Sequence, residues 1–160
     1  MGIKSNFTPT AIVAYYDNVA KIISEEIIRV LSYLGEKCVL RIRDRSAAES
    51  WIDHTGNLRS SIGYAVSDKG RIAIESQFNK VLEGSEGSAA GKKLVEELVS
   101  QYTRTYALIV VAGMSYAENV EAIDTKDVLA STELWADAQI DKYLQTAQSR
   151  IMKRVKALKL

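Results

Sequence analysis

From Thr8-Pro9 onward, Ile12, Tyr16, Val19, Ile23, Ile27, Val30 and Leu34 recur at steps of three or four residues. Steps of that size draw one apolar stripe down a helix, because 3.6 residues make a turn. Pro9 suits the first turn, where its missing N–H would have no partner in any case. Gly35 is a place to end or bend the helix, and Cys38 and Ile42 carry the stripe beyond it. The spacing predicts a helix over about residues 9–45, far longer than the ~12-residue average of globular proteins. A chain of 160 residues that holds such a helix must arrange the rest of its core around it.

The pattern changes at Ser50-Trp51-Ile52-Asp53-His54-Thr55-Gly56-Asn57, a stretch rich in turn formers. Ile62, Tyr64 and Val66 then alternate with Ser61, Gly63 and Ala65, the period of a half-buried strand. Asp68-Lys69-Gly70 reads as a hairpin turn, with Arg71 to Glu75 returning and Ile72 and Ile74 on one face. The hairpin spans about 59–76. Gly84 to Ser88 reads as a flexible loop, followed by a helix over about 89–104 that carries Leu94, Val95, Leu98, Val99 and Tyr102. Tyr106 to Met114 is apolar on both faces and reads as a central strand. Ala117 to Ile123 reads as a helical turn. The last helix spans about 131–158 on the stripe Ile140, Leu144, Ala147, Ile151, Val155 and Leu158. Ser131 is its candidate cap, with Glu121 and Glu133 as acidic neighbours. No linker or repeat divides the chain. The expected fold is a single α+β domain, a small and mostly antiparallel sheet flanked by long N-terminal and C-terminal helices.

Composition narrows the function. The chain is 47% hydrophobic with a formal net charge of +1, which fits a folded domain and not a polyelectrolyte drawn to nucleic acid or anionic lipid. One cysteine and one histidine cannot make an internal disulfide or the soft-ligand set of a zinc finger. The opening residues lack the apolar run of a signal peptide, and Leu108 to Ala112 is too short to span a bilayer. A soluble cytoplasmic protein without cofactor, metal or membrane contact is expected.

Each chemically suggestive group has a structural reading beside it. His54 follows Asp53, but neighbours on an extended chain point apart, so the pair reads as surface turn residues. Cys38 lies on the first helix's apolar stripe and reads as a packing residue. Gly87 to Lys93 misses the phosphate-loop pattern in glycine spacing and in the hydroxyl residue that holds magnesium. Lys153, Arg154 and Lys156 near the C-terminus are candidates for contact with DNA or an acidic partner, although positive charge also suits a helix C-terminus. Tyr15, Trp51 and Trp135 are candidate interface residues, since Tyr and Trp are enriched where proteins meet. No catalytic residue is assigned.

The segment Thr55-Gly56-Asn57-Leu58-Arg59-Ser60-Ser61-Ile62 resembles the Thr-Gly-x-Leu-Arg-x-Ser-Ile motif of phage head–tail connector or tail-completion proteins, the neck-protein group of siphophages and prophages. In that family the motif follows a long N-terminal helix and opens a β-hairpin. A later strand there carries Tyr-Ala, a spacer and Val-Glu, matched here by Tyr116, Ala117, Val120 and Glu121. A terminal helix closes the family fold. This chain departs from the pattern at Ala122-Ile123, where a glycine is usual, and in the Gly84–Gly91 loop and following helix, which look like an insertion. Physically, Thr55 and Asn57 form the turn, Gly56 supplies positive φ, Leu58 anchors the turn in the core, and Arg59 reaches a carboxylate on a partner strand or neighbouring subunit. The resemblance implies a virion structural protein without catalysis, assembled in the bacterial host cytoplasm. It implies a ring of six copies around the DNA channel, meeting tail-terminator or connector proteins and touching DNA without sequence preference. In that setting the long helices and the Gly84–Gly91 loop meet neighbouring copies. Two other readings remain: a nucleic-acid-binding module using the basic last helix, and a small hydrolase or transferase using His54 or Cys38.

Overall fold

The chain order is α1 (Pro9–Arg43), α2 (Asn57–Ser60), β1 (Ile62–Asp68), β2 (Arg71–Glu75), α3 (Ser85–Val99), β3 (Tyr106–Ala112), α4 (Ala117–Glu121) and α5 (Ala130–Lys156). These elements come from a computed structural model that describes residues 8–46, 50–123 and 126–158. The expected α+β class holds: long first and last helices pack with a three-stranded antiparallel sheet.

The sheet order is β2-β1-β3. The centre is therefore β1, and β3 is an edge strand, contrary to the reading of 106–114 as central. Its apolar character on both faces comes from helices above and below. Tyr64, Val66, Leu108 and Val110 pack beneath Leu31 and Val39 of α1, while Ala65, Ile109 and Val111 pack beneath Val95 and Val99 of α3. Burial on two faces demands apolar residues at every position, whichever place in the sheet order a strand takes. A third cluster, Ile42, Trp51, Leu58, Ile62 and Val128, closes the end of the sheet.

Lys69 and Gly70 both take positive φ, 52° and 85°, as a two-residue hairpin loop requires. Beyond the loop the register shifts: Val66 pairs with Ile74 but Ser67 pairs with Ile72. The extra residue, Ala73, is a bulge that breaks the alternation. Ile72 and Ile74 therefore do not share a face, as simple period-two reading had them.

The helix α3 begins at Ser85, so most of the expected flexible loop is helical. Its glycines let it lie directly on backbone. A Cβ on Gly87 would sit 1.8 Å from the Asn57 carbonyl oxygen, and one on Gly91 would sit 2.3 Å from that of Ser61. The glycine side of this segment is bound to its own turn, while Ser85, Glu86 and Ala89 are exposed on the other side.

The two long helices run antiparallel to one another. Arg41 of α1 lies over Trp135 of α5, Tyr33 meets Tyr143, and Glu25 and Glu26 meet Arg154. Gly35 does not end α1; it admits the Tyr64 ring, whose Cδ2 would lie 2.4 Å from an added Cβ. Of the expected stripe only Val30, Leu34, Cys38 and Ile42 are buried and Ile27 is partly so; Ile22, Glu26 and Leu31, outside the stripe, are buried beside it. Ile12, Tyr16 and Ile23 are exposed, because α5 ends opposite Glu25 and the sheet lies further on.

Candidate functional site

The motif segment folds as a fastening. Gly56 takes φ 78° and leads into α2, and Thr55 Oγ1 accepts from the Asn57 N–H at 3.3 Å. Leu58 is buried in the cluster with Ile42 and Trp51, as its anchoring role requires. Asn57 Oδ1 accepts from the Gly87 N–H at 3.1 Å, which ties the turn to α3. The Ser60 hydroxyl accepts from the Val81 N–H at 2.8 Å, and that of Ser61 donates to the Leu58 carbonyl. Ile62 is fully buried and opens β1.

Arg59 differs from expectation. Its guanidinium stacks 5.2 Å above the Trp51 ring and donates to the Arg43 carbonyl at the end of α1. It thus joins the end of α1 to the turn, and among the described residues no carboxylate pairs with it. Trp51 is 5% exposed, so it is a core residue and not a surface available to partners. Its wide ring fills the gap between α1, α2 and the sheet.

Asp53, beside His54, has its carboxylate committed to α2. Oδ1 accepts from the Gly56 N–H at 2.9 Å and Oδ2 from the Arg59 N–H at 2.7 Å. His54 is exposed. Cys38 is buried on α1, and burial pushes its thiol up to about 11. It is therefore protonated and poorly nucleophilic near neutrality.

The second half of the motif lies on α4 and not on a strand. Tyr116 precedes the helix, Ala117 and Val120 pack against the Ile42–Trp51 cluster, and Glu121 ends it. The Glu121 carboxylate accepts from the backbone N–H groups of Val128, Leu129 and Ala130, at 3.0, 2.7 and 3.2 Å. It caps the start of α5, the place expected for Ser131. Ser131 instead donates its N–H to Asp127 Oδ1. Burial pushes the Asp127 carboxyl up, but hydrogen bonds from Ser131 and the Arg45 guanidinium more than offset this and hold it below the usual aspartate range.

Among the candidate surface residues, Tyr15 meets Tyr16 edge-on at 5.9 Å, and Tyr16 is the more exposed of the two. Trp135 is partly covered by Arg41. Arg154 binds Glu25 at 2.6 Å and Glu26 at 3.0 Å, so it is engaged within the chain. Lys153 and Lys156 remain exposed. The Glu26 oxygen that faces Arg150 at 4.0 Å makes no hydrogen bond.

A cleft of about 590 Å³ lies between α1, β3, α3 and the start of α5. Leu34, Cys38, Leu98, Leu108 and Ile140 give it apolar walls, with Glu133 and Asp137 on α5. Among the described residues no group of three or more His, Cys, Asp or Glu could hold a metal ion. No described helix is long and apolar enough to cross a membrane.

No family model, no curated protein and no solved structure matches this chain.

Proposed function

We propose that this chain is a structural subunit of a phage virion at the head–tail junction, which assembles into a ring that completes the tail and receives the head. The observation that carries the reading is the use made of the Thr55–Ile62 and Tyr116–Glu121 segments. Their polar groups are spent on backbone hydrogen bonds within the fold: Asn57 to Gly87, Ser60 to Val81, Glu121 to the start of α5. Two motifs whose residues hold turns and helix ends are construction elements, which is what a connector subunit needs. The order of long helix, hairpin and closing helix supports the same reading. A ring of identical subunits needs one heterologous interface repeated about an axis. Tyr15 and Trp135 remain candidates for it, and the virion's tail-terminator or connector proteins are the other partners.

The basic end of α5 favours a passing contact with channel DNA over a dedicated grip. Arg154 is occupied by Glu25 and Glu26, which leaves Lys153 and Lys156 for phosphates. The test is light scattering after size exclusion, with negative-stain imaging and a pull-down on purified tails that lack this protein. A discrete ring, or a monomer that binds tail ends, is expected. A protein that neither forms rings nor binds tails overturns the proposal. Steep salt-dependent DNA affinity without tail binding would turn the assignment to a nucleic-acid-binding module.

A further inference from the structure

The two edges of the sheet are built differently. The outer strand β2 carries Arg71 and Glu75 at its ends and a bulge at Ala73. Charges and bulges keep a free edge from pairing with other chains. The other edge, β3, reads Tyr-Ala-Leu-Ile-Val-Val-Ala from Tyr106 to Ala112. It has no charge, no proline and no shift of register against β1.

The ladder fixes which groups this edge leaves open. The Gly113 N–H donates to the Ser61 carbonyl, and the Lys69 N–H to that of Thr105. Hydrogen-bonded pairs alternate along an antiparallel ladder, so Ala107, Ile109 and Val111 bond to β1. Leu108 and Val110 turn their N–H and C=O groups to the other side. Among the described residues none bonds to them there.

The 590 Å³ cleft lies on that open side. It touches Leu108 and Val110, which face α1 and Ile140 of α5, and also Ile109, which faces Leu98 of α3. Only space beyond the free edge reaches both faces of a strand, because β1 occupies the other edge. The cleft is therefore a slot. The start of α5 forms one wall, Leu98 and Tyr102 form the other, and the open backbone of β3 lies between them.

The groups in the slot describe its occupant. Open N–H and C=O groups along a strand edge are matched by another extended chain; a helix has spent its own backbone groups internally. Side chains of the added strand alternate between the two walls. On the α5 wall, Glu133 and Asp137 stand one turn apart and exposed, and no cation of a described residue pairs with either. The aliphatic stem of a Lys or Arg would cross Ala136 and Ile140 to reach them. The wall of Leu98 and Tyr102 takes apolar side chains. Neither β2 nor β3 of a second copy fits this pattern. No basic residue lies in β3, and in β2 the bulge breaks the alternation and Glu75 would meet the acidic wall.

We infer that this slot binds an extended segment of another protein, about five residues long, in which Lys or Arg alternates with apolar residues. Its backbone pairs with Leu108 and Val110 and extends the three-stranded sheet by one strand. The inference goes beyond the ring reading and does not rest on it.

The test uses the full chain and a fluorophore-labelled peptide, Lys-Val-Lys-Val-Lys-Val, blocked at its C-terminus. Fluorescence anisotropy should show saturable binding with a Kd of about 1 mM or tighter. Residue-resolved amide exchange should slow by about tenfold or more at Leu108 and Val110 when the peptide binds. The same peptide N-methylated at every residue keeps its charges and side chains but cannot donate to β3, and should bind about tenfold more weakly or worse. Glu133→Lys with Asp137→Lys should weaken binding about as much, with circular dichroism showing that the variant folds. Glu96→Lys with Glu97→Lys, exposed on α3, should leave binding unchanged. A peptide that fails to bind overturns the inference. So does binding that survives full N-methylation, or that the Glu96, Glu97 pair weakens as much as the Glu133, Asp137 pair, since either result means general attraction of charge. Leu108 and Val110 amides that are protected in concentrated protein alone and lose protection on dilution would put a second copy in the slot, which also overturns it. None of these readouts measures ring formation or tail binding, so the ring reading fails or stands separately.

Discussion

Gly91 shows how a single residue fixes the spacing of layers. Ala is worth ~1 kcal/mol more than Gly inside a helix, so Gly91→Ala on propensity alone would stabilise α3. Its new Cβ, however, would lie 2.3 Å from the Ser61 carbonyl oxygen and 2.7 Å from the Phe78 ring. Gly113 packs against the Gly91 backbone on the same side, so the helix must lift off β1. Overpacking of this kind costs about 1–3 kcal/mol, and backbone offers no rotamer to relieve it. We expect Gly91→Ala to lower stability by about 1–2 kcal/mol, read as a fall in the denaturant midpoint at unchanged slope. A rise in the midpoint would mean that α3 is free to shift. Sequence spacing hid this role: glycines near Ser85 and Ser88 read as loop formers, and nothing local tells a glycine that frees a chain from one that admits a neighbour. Gly56 and Leu58 were legible because their roles depend on the turn itself. Arg59 was not, since the composition of a turn does not say whether a guanidinium will find a carboxylate, a carbonyl or an indole face.

At the scale of elements, the start of α5 depends on a side chain from another helix. Leu129 stands at the N-cap position without a side-chain cap, and Glu121 of α4 accepts from three consecutive N–H groups. The carboxylate also meets the positive end of the helix dipole. Removing it leaves those donors without their acceptor, although Ala130 is exposed and water can replace one bond. We expect Glu121→Ala to cost about 1–3 kcal/mol and Glu121→Gln, which keeps one carbonyl oxygen, to cost less. Thermal unfolding of the two variants side by side checks the order; equal losses would point to packing in place of the charged acceptor. The existence and type of the long elements were legible from periodicity, and their bounds fell within a few residues. The place of β3 at the edge was not. Two-sided burial writes the same apolar pattern into a central strand and into an edge strand covered by two helices.

The whole molecule divides into a packed body and an arm, and this division sets how stability should depend on concentration. Every residue buried in α1 lies at or beyond Ile22, where the sheet and α5 supply its contacts, and residues 9–21 are the arm. The arm adds no buried residue to that body. Association that covers its apolar face would stabilise the folded state by mass action. The full chain should therefore melt at a temperature that rises with protein concentration. A chain lacking residues 1–20 should melt at one temperature throughout, near that of the full chain at high dilution. Differential scanning calorimetry across a concentration series reads both. A concentration-dependent midpoint in the truncated chain would place the main interface on the body, with Trp135 the first residue to substitute. A midpoint that falls sharply on truncation, even at high dilution, would mean that the arm folds back on its own body. The sequence showed one uninterrupted stripe along α1, and periodicity carries no mark where the cover passes from the chain itself to a neighbour. That boundary appears only once α5 and the sheet are in place, because it is set by where they end.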